Sequence, residues 1–170
     1  MKNLWKNNFM PLLTDTPKDI IQYQCTSLSE ITDGVIVAGI TEYSELISSY
    51  IKKGPMNVIA GVMADKKVNV QDNLGEIPGG GFTFEFYISS IATPNYKYRV
   101  LFLQYYTEMY PATIVMDEAI AQELQLDQDV SCPNQEDFES VLARILNSKK
   151  VENVISALLG YAIKDQLASV

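Results

Sequence analysis

The chain contains no histidine, so nucleophile–histidine pairs, Ser-His-Asp triads and histidine-ligated metal centres are excluded at the outset. Carboxylates are the remaining acid–base groups, and two pairs lie close in sequence: Asp117 with Glu118, and Asp127 with Asp129. A catalytic carboxylate pair has to flank the bond it cleaves. Asp117 and Glu118 are adjacent at a predicted helix start, where capping and the helix dipole account for them, and Asp127 and Asp129 fall in a polar loop. Neither pair is read as catalytic. Cys25 and Cys132, two thiols without a histidine between them, make neither a zinc site nor a disulfide framework. Cys25 falls on the apolar side of a helical pattern and is expected to be buried. Cys132 precedes Pro133 and is expected to be the more accessible thiol. Pro78-Gly79-Gly80-Gly81 has the composition of a phosphate cradle, but it leads into a strand pattern and no Lys-Ser/Thr follows, so it reads as a hairpin entry. The sequence therefore assigns no catalytic, cofactor-binding or metal-binding residue.

Binding chemistry has more support. Tyr87, Tyr96, Tyr98, Tyr105, Tyr106 and Tyr110 cluster in one region, and tyrosine supplies contact energy when it gathers on a surface. The other reading of these rings is the amphipathic rim of a core. Lys97 and Arg99 share a strand face and are expected to meet Glu85 across a hairpin, an exposed pairing worth a few tenths of a kcal/mol. From Val100 to Ala143 the chain has no Lys or Arg, while Glu108, Asp117, Glu118, Glu123, Asp127, Asp129, Glu136, Asp137 and Glu139 all fall there. If these carboxylates share a surface, they steer a basic partner; if not, they are helix-start acids and solvated side chains. The candidate partner-binding residues are Tyr106, Glu108, Tyr110, Asp117, Glu118, Glu123, Asp127 and Asp129.

Alternation and helical periodicity define the elements that must carry these groups. Residues 1–15 form an arm with Trp5, Phe9, Leu12 and Leu13, expected to dock by its apolar side chains. Residues 16–34 are a helix: Thr16 caps it, Pro17 takes its first position, Asp19 sits in the first turn and Gly34 ends it. Ile20, Ile21, Cys25, Leu28 and Ile31 lie on one arc of that helix. Residues 35–116 are mainly β. Val35 to Ile40 is a short strand, and the central feature is a meander over 82–116. In it, Phe82, Phe84, Phe86 and Ile88 share one parity. A turn at Ala92 to Asn95 leads to a return strand from Tyr96 that is apolar on both parities from Val100 to Leu103 and so is expected to be covered on both faces. Pro111 opens the third strand. Between 41 and 80 the pattern admits a short helix over Ser44 to Lys53, strand pieces at Met56 to Met63 and Val68 to Val70, and a loop from Asn73. Residues 117–165 are helical, apart from a brief edge strand at Val130 to Cys132. They end in an antiparallel helical hairpin whose stripes are Phe138, Val141, Leu142, Ile145 and Leu146, then Val151, Val154, Ile155, Leu158, Leu159 and Ala162.

The expected fold is α+β, one domain with an antiparallel sheet bearing an N-terminal helix and a C-terminal helical hairpin on one face. At 170 residues with 47% hydrophobic and 20% charged residues it has enough chain to bury a core without staples. No run reaches about 18 apolar residues, and the start of the chain lacks a secretory pattern, so a cytoplasmic location is expected. The net charge of −8 speaks against nucleic acid and in favour of a neutral or basic partner. The function these features favour is a non-catalytic protein that covers a partner protein, in the manner of immunity proteins or phage inhibitors of host defences. A ligand binder or enzyme with a pocket between sheet and helices, and an oligomer-forming subunit, are the alternatives.

Overall fold

The computed structural model describes residues 2, 4–5, 8–11, 13–44, 47 and 81–168. The expected helix and strand pieces between 48 and 80 lie outside the described residues.

The first helix, α1 (Pro17–Ile31), begins at a capping box. The Asp19 N–H donates to the Thr16 hydroxyl at 3.2 Å, and the Asp19 carboxylate accepts from the Thr16 N–H at 2.9 Å and from its hydroxyl at 2.7 Å, satisfying donors that the helix itself leaves open. The helix stops at Ile31, three residues before Gly34, because Asp33 and Gly34 both take left-handed geometry at φ 50° and 77°. Ile21 and Cys25 are buried as expected, but Ile31, the last residue of the helix, is exposed.

Five strands follow: β1 (Ile36–Glu42), β2 (Phe82–Ser90), β3 (Thr93–Tyr105), β4 (Ala112–Met116) and β5 (Asp129–Cys132). They form one antiparallel sheet in the order β1-β2-β3-β4-β5, so β3 is central. The β2–β3 connection is shorter than the sequence suggests. Ile91 and Ala92 alone make the turn, and Pro94 and Asn95 sit inside β3. Helix α2 (Glu118–Leu124) is inserted between β4 and β5, and α3 (Gln135–Leu146) and α4 (Lys149–Ala168) close the chain. Helix α3 lies against α1 and β5, whereas α4 lies against β1, β2 and β3. The two helices joined at Asn147 and Ser148 thus cover different parts of the sheet.

The register shows how the core is filled. Ile40, Phe86, Leu101 and Met116 stand in one cross-strand row, and Phe84, Leu103, Ile114 and Val130 in the next. These rows meet Ile21, Cys25, Phe138, Leu142, Ile145, Val151 and Leu158 from the helices. Period-2 alternation in the strands and period-3.6 spacing in the helices put the apolar side chains on facing surfaces. The doubly apolar stretch of β3 has a local cause. Tyr87 pairs with Arg99 while Phe86 pairs with Leu101, so Val100 is the extra residue of a β-bulge, and both Val100 and Leu101 enter the helix-facing core. Phe102 alone goes to the opposite face, where it is 6% exposed, 4.7 Å from the Tyr43 ring and 4.8 Å below the Arg99 guanidinium.

Two expectations are corrected. Among the described residues of the arm, Leu4, Trp5, Phe9, Met10 and Leu13 are not buried against the domain, being between 74% and 92% exposed. Cys132 is buried, not accessible, because it opposes Ala112 on the helix-facing side of β5. Burial pushes the Cys25 thiol up to about 11 and raises Cys132 as well, with Asp137 adding to the latter. Neither thiol should label in the native protein, and both should label in denaturant; rapid native labelling of either would show that its helix or strand opens. The linkage sign follows from the raised value. Folding is unaffected by Cys25 below the ordinary thiol value near 9 and loses stability as pH rises from there towards 11, a loss that denaturation midpoints measured across that range should show more strongly for wild type than for Cys25→Ala.

Candidate functional site

Antiparallel strands deliver sequence neighbours to opposite ends of a sheet, and this divides the predicted partner-binding residues. Tyr106, Glu108 and Tyr110 lie in the β3–β4 connection, at the end where β4 starts. Asp117, Glu118, Asp127 and Asp129 lie at the other end, around the exit of β4 and the entry of β5, across a strand whose five residues span roughly 16 Å. The acidic segment is therefore two groups and not one face.

Several of its members have local duties. Asp117 caps α2, accepting from the Ala119 N–H at 2.8 Å. Glu123 accepts from the backbone N–H groups of Lys149 at 2.8 Å and Lys150 at 3.4 Å, so it caps the start of α4 from another helix. Arg144 donates to the Leu124 carbonyl at 2.7 Å, fixing the same end of α2 to α3. Reversing Glu123 is consequently not a neutral surface change. Glu123→Lys removes two acceptor contacts and places a cation at the positive end of a helix, and it should lower stability by about 1–2 kcal/mol. Chemical denaturation of Glu123→Lys beside Glu118→Lys, which also puts a cation in a first helical turn but whose carboxylate accepts from the Gln122 side chain and from no backbone N–H among the described residues, checks this; equal midpoints would remove the capping role.

The tyrosines also separate. Tyr106 is 41% exposed. Tyr110 is half-buried, edge-on to Phe138 with ring centroids 6.3 Å apart, and its hydroxyl has no hydrogen-bond partner among the described residues. Burial, then Glu139 and Cys132, raise its pKa. Tyr105 is buried against Phe84 and Phe82, and burial raises it too, opposed by a hydrogen bond with Thr16 and reinforced by Asp19. Tyr105 and Tyr110 are thus core rim, and Tyr106 is the surface ring. Of the expected hairpin pairings, Arg99 meets Glu85, with Nη2 2.6 Å from its carboxylate, while Lys97 lies 4.3 Å from the centre of the Tyr87 ring instead.

The influence of Asp19 on Tyr105 and of Glu139 on Tyr110 reveals a feature that sequence order hides: the starts of α1 and α3 come together at the Tyr106–Tyr110 end of the sheet. Between these helices runs a groove of about 590 Å³ lined by Asp15, Asp19, Ile20, Tyr23, Gln24, Gln135, Glu139, Leu142, Ala143, Leu146 and Asn147. Its floor is aliphatic and its mouth carries three carboxylates, with no Lys or Arg among the lining residues. Asp19 is locked by the capping box, whose hydrogen bonds from Thr16 hold its carboxyl below the usual range. Tyr23 is 69% exposed at the rim. Asp15, Asp19 and Tyr23 lie more than 80 residues before the acidic segment, so the charge count along the chain missed them. The only signal for them was the polar arc of α1.

Among the described residues, no group of three or more Cys, Asp or Glu is placed to hold a metal ion, and no helix is long and apolar enough to cross a membrane. No protein-family model matches this chain, nor does any curated protein or solved structure.

Proposed function

We propose that this protein is a non-catalytic binder that covers a basic partner protein, and that the groove between α1 and α3 anchors the contact. The observation that carries this reading is the groove's composition: an apolar floor from Ile20, Leu142 and Leu146 under three carboxylates, with no cation among its lining residues. Apolar floor and acidic mouth suit a chain segment that presents an aliphatic or aromatic side chain beside Lys or Arg, which buries its stem while the charge meets Asp15, Asp19 or Glu139. Glu108 and the exposed ring of Tyr106, near the same end, extend the contact surface. An inhibitor or immunity-type protein works in this way, by steric cover. We place the activity in the cytoplasm, in keeping with two unpaired cysteines.

The test is affinity capture of the native partner from cell extract, run in parallel with wild type and with the Asp15→Lys/Glu139→Lys variant. A stoichiometric protein captured by wild type and lost from the variant supports the groove. Equal capture by both, or turnover of a small substrate by the purified chain, would overturn it.

A further inference from the structure

A second groove, between α4 and the start of β3, points to a small ligand. Helix α4 presents Lys150, Asn153, Val154, Ala157, Leu158 and Tyr161 along one line, the i, i+3, i+4, i+7 spacing of a single helix face. That line runs beside Thr93 and Tyr96 at the start of β3, and the two sides enclose about 450 Å³, within the range of small-molecule sites. The walls are chiefly apolar, with the Tyr96 ring 45% exposed and the Tyr161 ring 61% exposed.

One charged group breaks the apolar lining, and one hydroxyl is buried behind it. The Lys150 ammonium lies 5.7 Å from the centre of the Tyr98 ring, and it makes no ion pair among the described residues. Its own backbone N–H faces Glu123 at 3.4 Å, so that carboxylate is engaged by the helix start. The Thr93 hydroxyl is buried without a hydrogen-bond partner among the described residues, a state that costs stability and calls for an explanation. Lys150 is therefore the one charged group among the residues that line this apolar trough.

We infer that this groove binds a small amphipathic carboxylate, with the anion at Lys150 and the aromatic or branched apolar body between Val154, Leu158 and Tyr161. A neutral ligand leaves Lys150 uncompensated, and a polyanion has no second cation among the lining residues to meet; a single negative charge on an apolar body fits both facts. The site is independent of the acidic groove, whose lining shares no residue with it.

The experiment titrates 4-butylbenzoate and its uncharged amide, 4-butylbenzamide, into ¹⁵N-labelled full-length protein and follows amide shifts. Saturable shifts confined to residues 93–96 and 150–161 are expected for the acid, with the amide binding at least tenfold more weakly. Lys150→Gln should remove that preference, and Lys149→Gln, one residue away on another helix face, should keep it. Thr93→Val should raise the melting temperature of the unliganded protein, since the substitution removes an unpaired buried hydroxyl, and should leave the preference for the acid in place. Equal binding of acid and amide, shifts scattered over the surface, or no saturation at millimolar ligand would overturn the assignment.

Discussion

Phe86→Ala is expected to destabilise the protein by about 3–5 kcal/mol, the usual cost of truncating a fully buried phenylalanine. The residue is 1% exposed and sits on β2 between Ile40 of β1 and Leu101 of β3 in the same cross-strand row. Those neighbours are held by ladder hydrogen bonds and cannot close over the void, so the cavity term adds to the lost transfer free energy. Against a total stability of roughly 5–15 kcal/mol for a domain of ordinary size, the variant should lose much of its denaturation midpoint with its slope unchanged. Phe102→Ala is expected to cost less. Phe102 lies on the other face of the same sheet, outside the main core cluster, under a long Arg99 side chain that can settle into the space. A Phe102 variant as unstable as the Phe86 variant would show that the face away from the helices is packed as tightly as the core.

Reversing two carboxylates at the α1–α3 groove should slow association with a basic partner by about tenfold at low salt. Asp15 and Glu139 are the residues to change, because Asp19 belongs to the α1 capping box, while Glu139 accepts an exposed intrahelical bond from Gln135. Asp15→Lys/Glu139→Lys alters the local charge by four units and leaves both helix caps in place. The difference from wild type should shrink as salt rises, since the screening length falls from about 10 Å at 0.1 M to about 3 Å at 1 M. Glu118→Lys, at the far end of the sheet, is the control with matching chemistry. Stopped-flow or surface-based on-rates across a salt series provide the measurement. Equal slowing by Glu118→Lys would assign the effect to overall charge, and no slowing at low salt would remove the groove from the encounter.

Local signals in the sequence determined most of the secondary structure. Thr16-Pro17-Lys18-Asp19 states a helix start that no packing is needed to read, and Asn134 does the same for α3, its side chain accepting from the Asp137 N–H at 2.9 Å. Alternation from Phe82 to Ile88 and the stripes of α3 and α4 put the right side chains in the core, because both periods are properties of the backbone. The absence of histidine narrowed the chemistry in the same direct way.

The tertiary structure decided what those elements bring together. A single bulge at Val100 turned a doubly apolar run into three inward residues and one outward ring, and no residue type announces which position is extra. Cys132 reads as exposed from its neighbours Ser131 and Pro133, yet pairing with Ala112 sends it inward. The same antiparallel return split the acidic segment between the two ends of β4, and packing joined the beginning of α1 to that of α3, more than a hundred residues later. Charge along a chain is a property of sequence, but charge on a surface depends on which helices and strands lie side by side, and that is set by long-range burial of apolar faces.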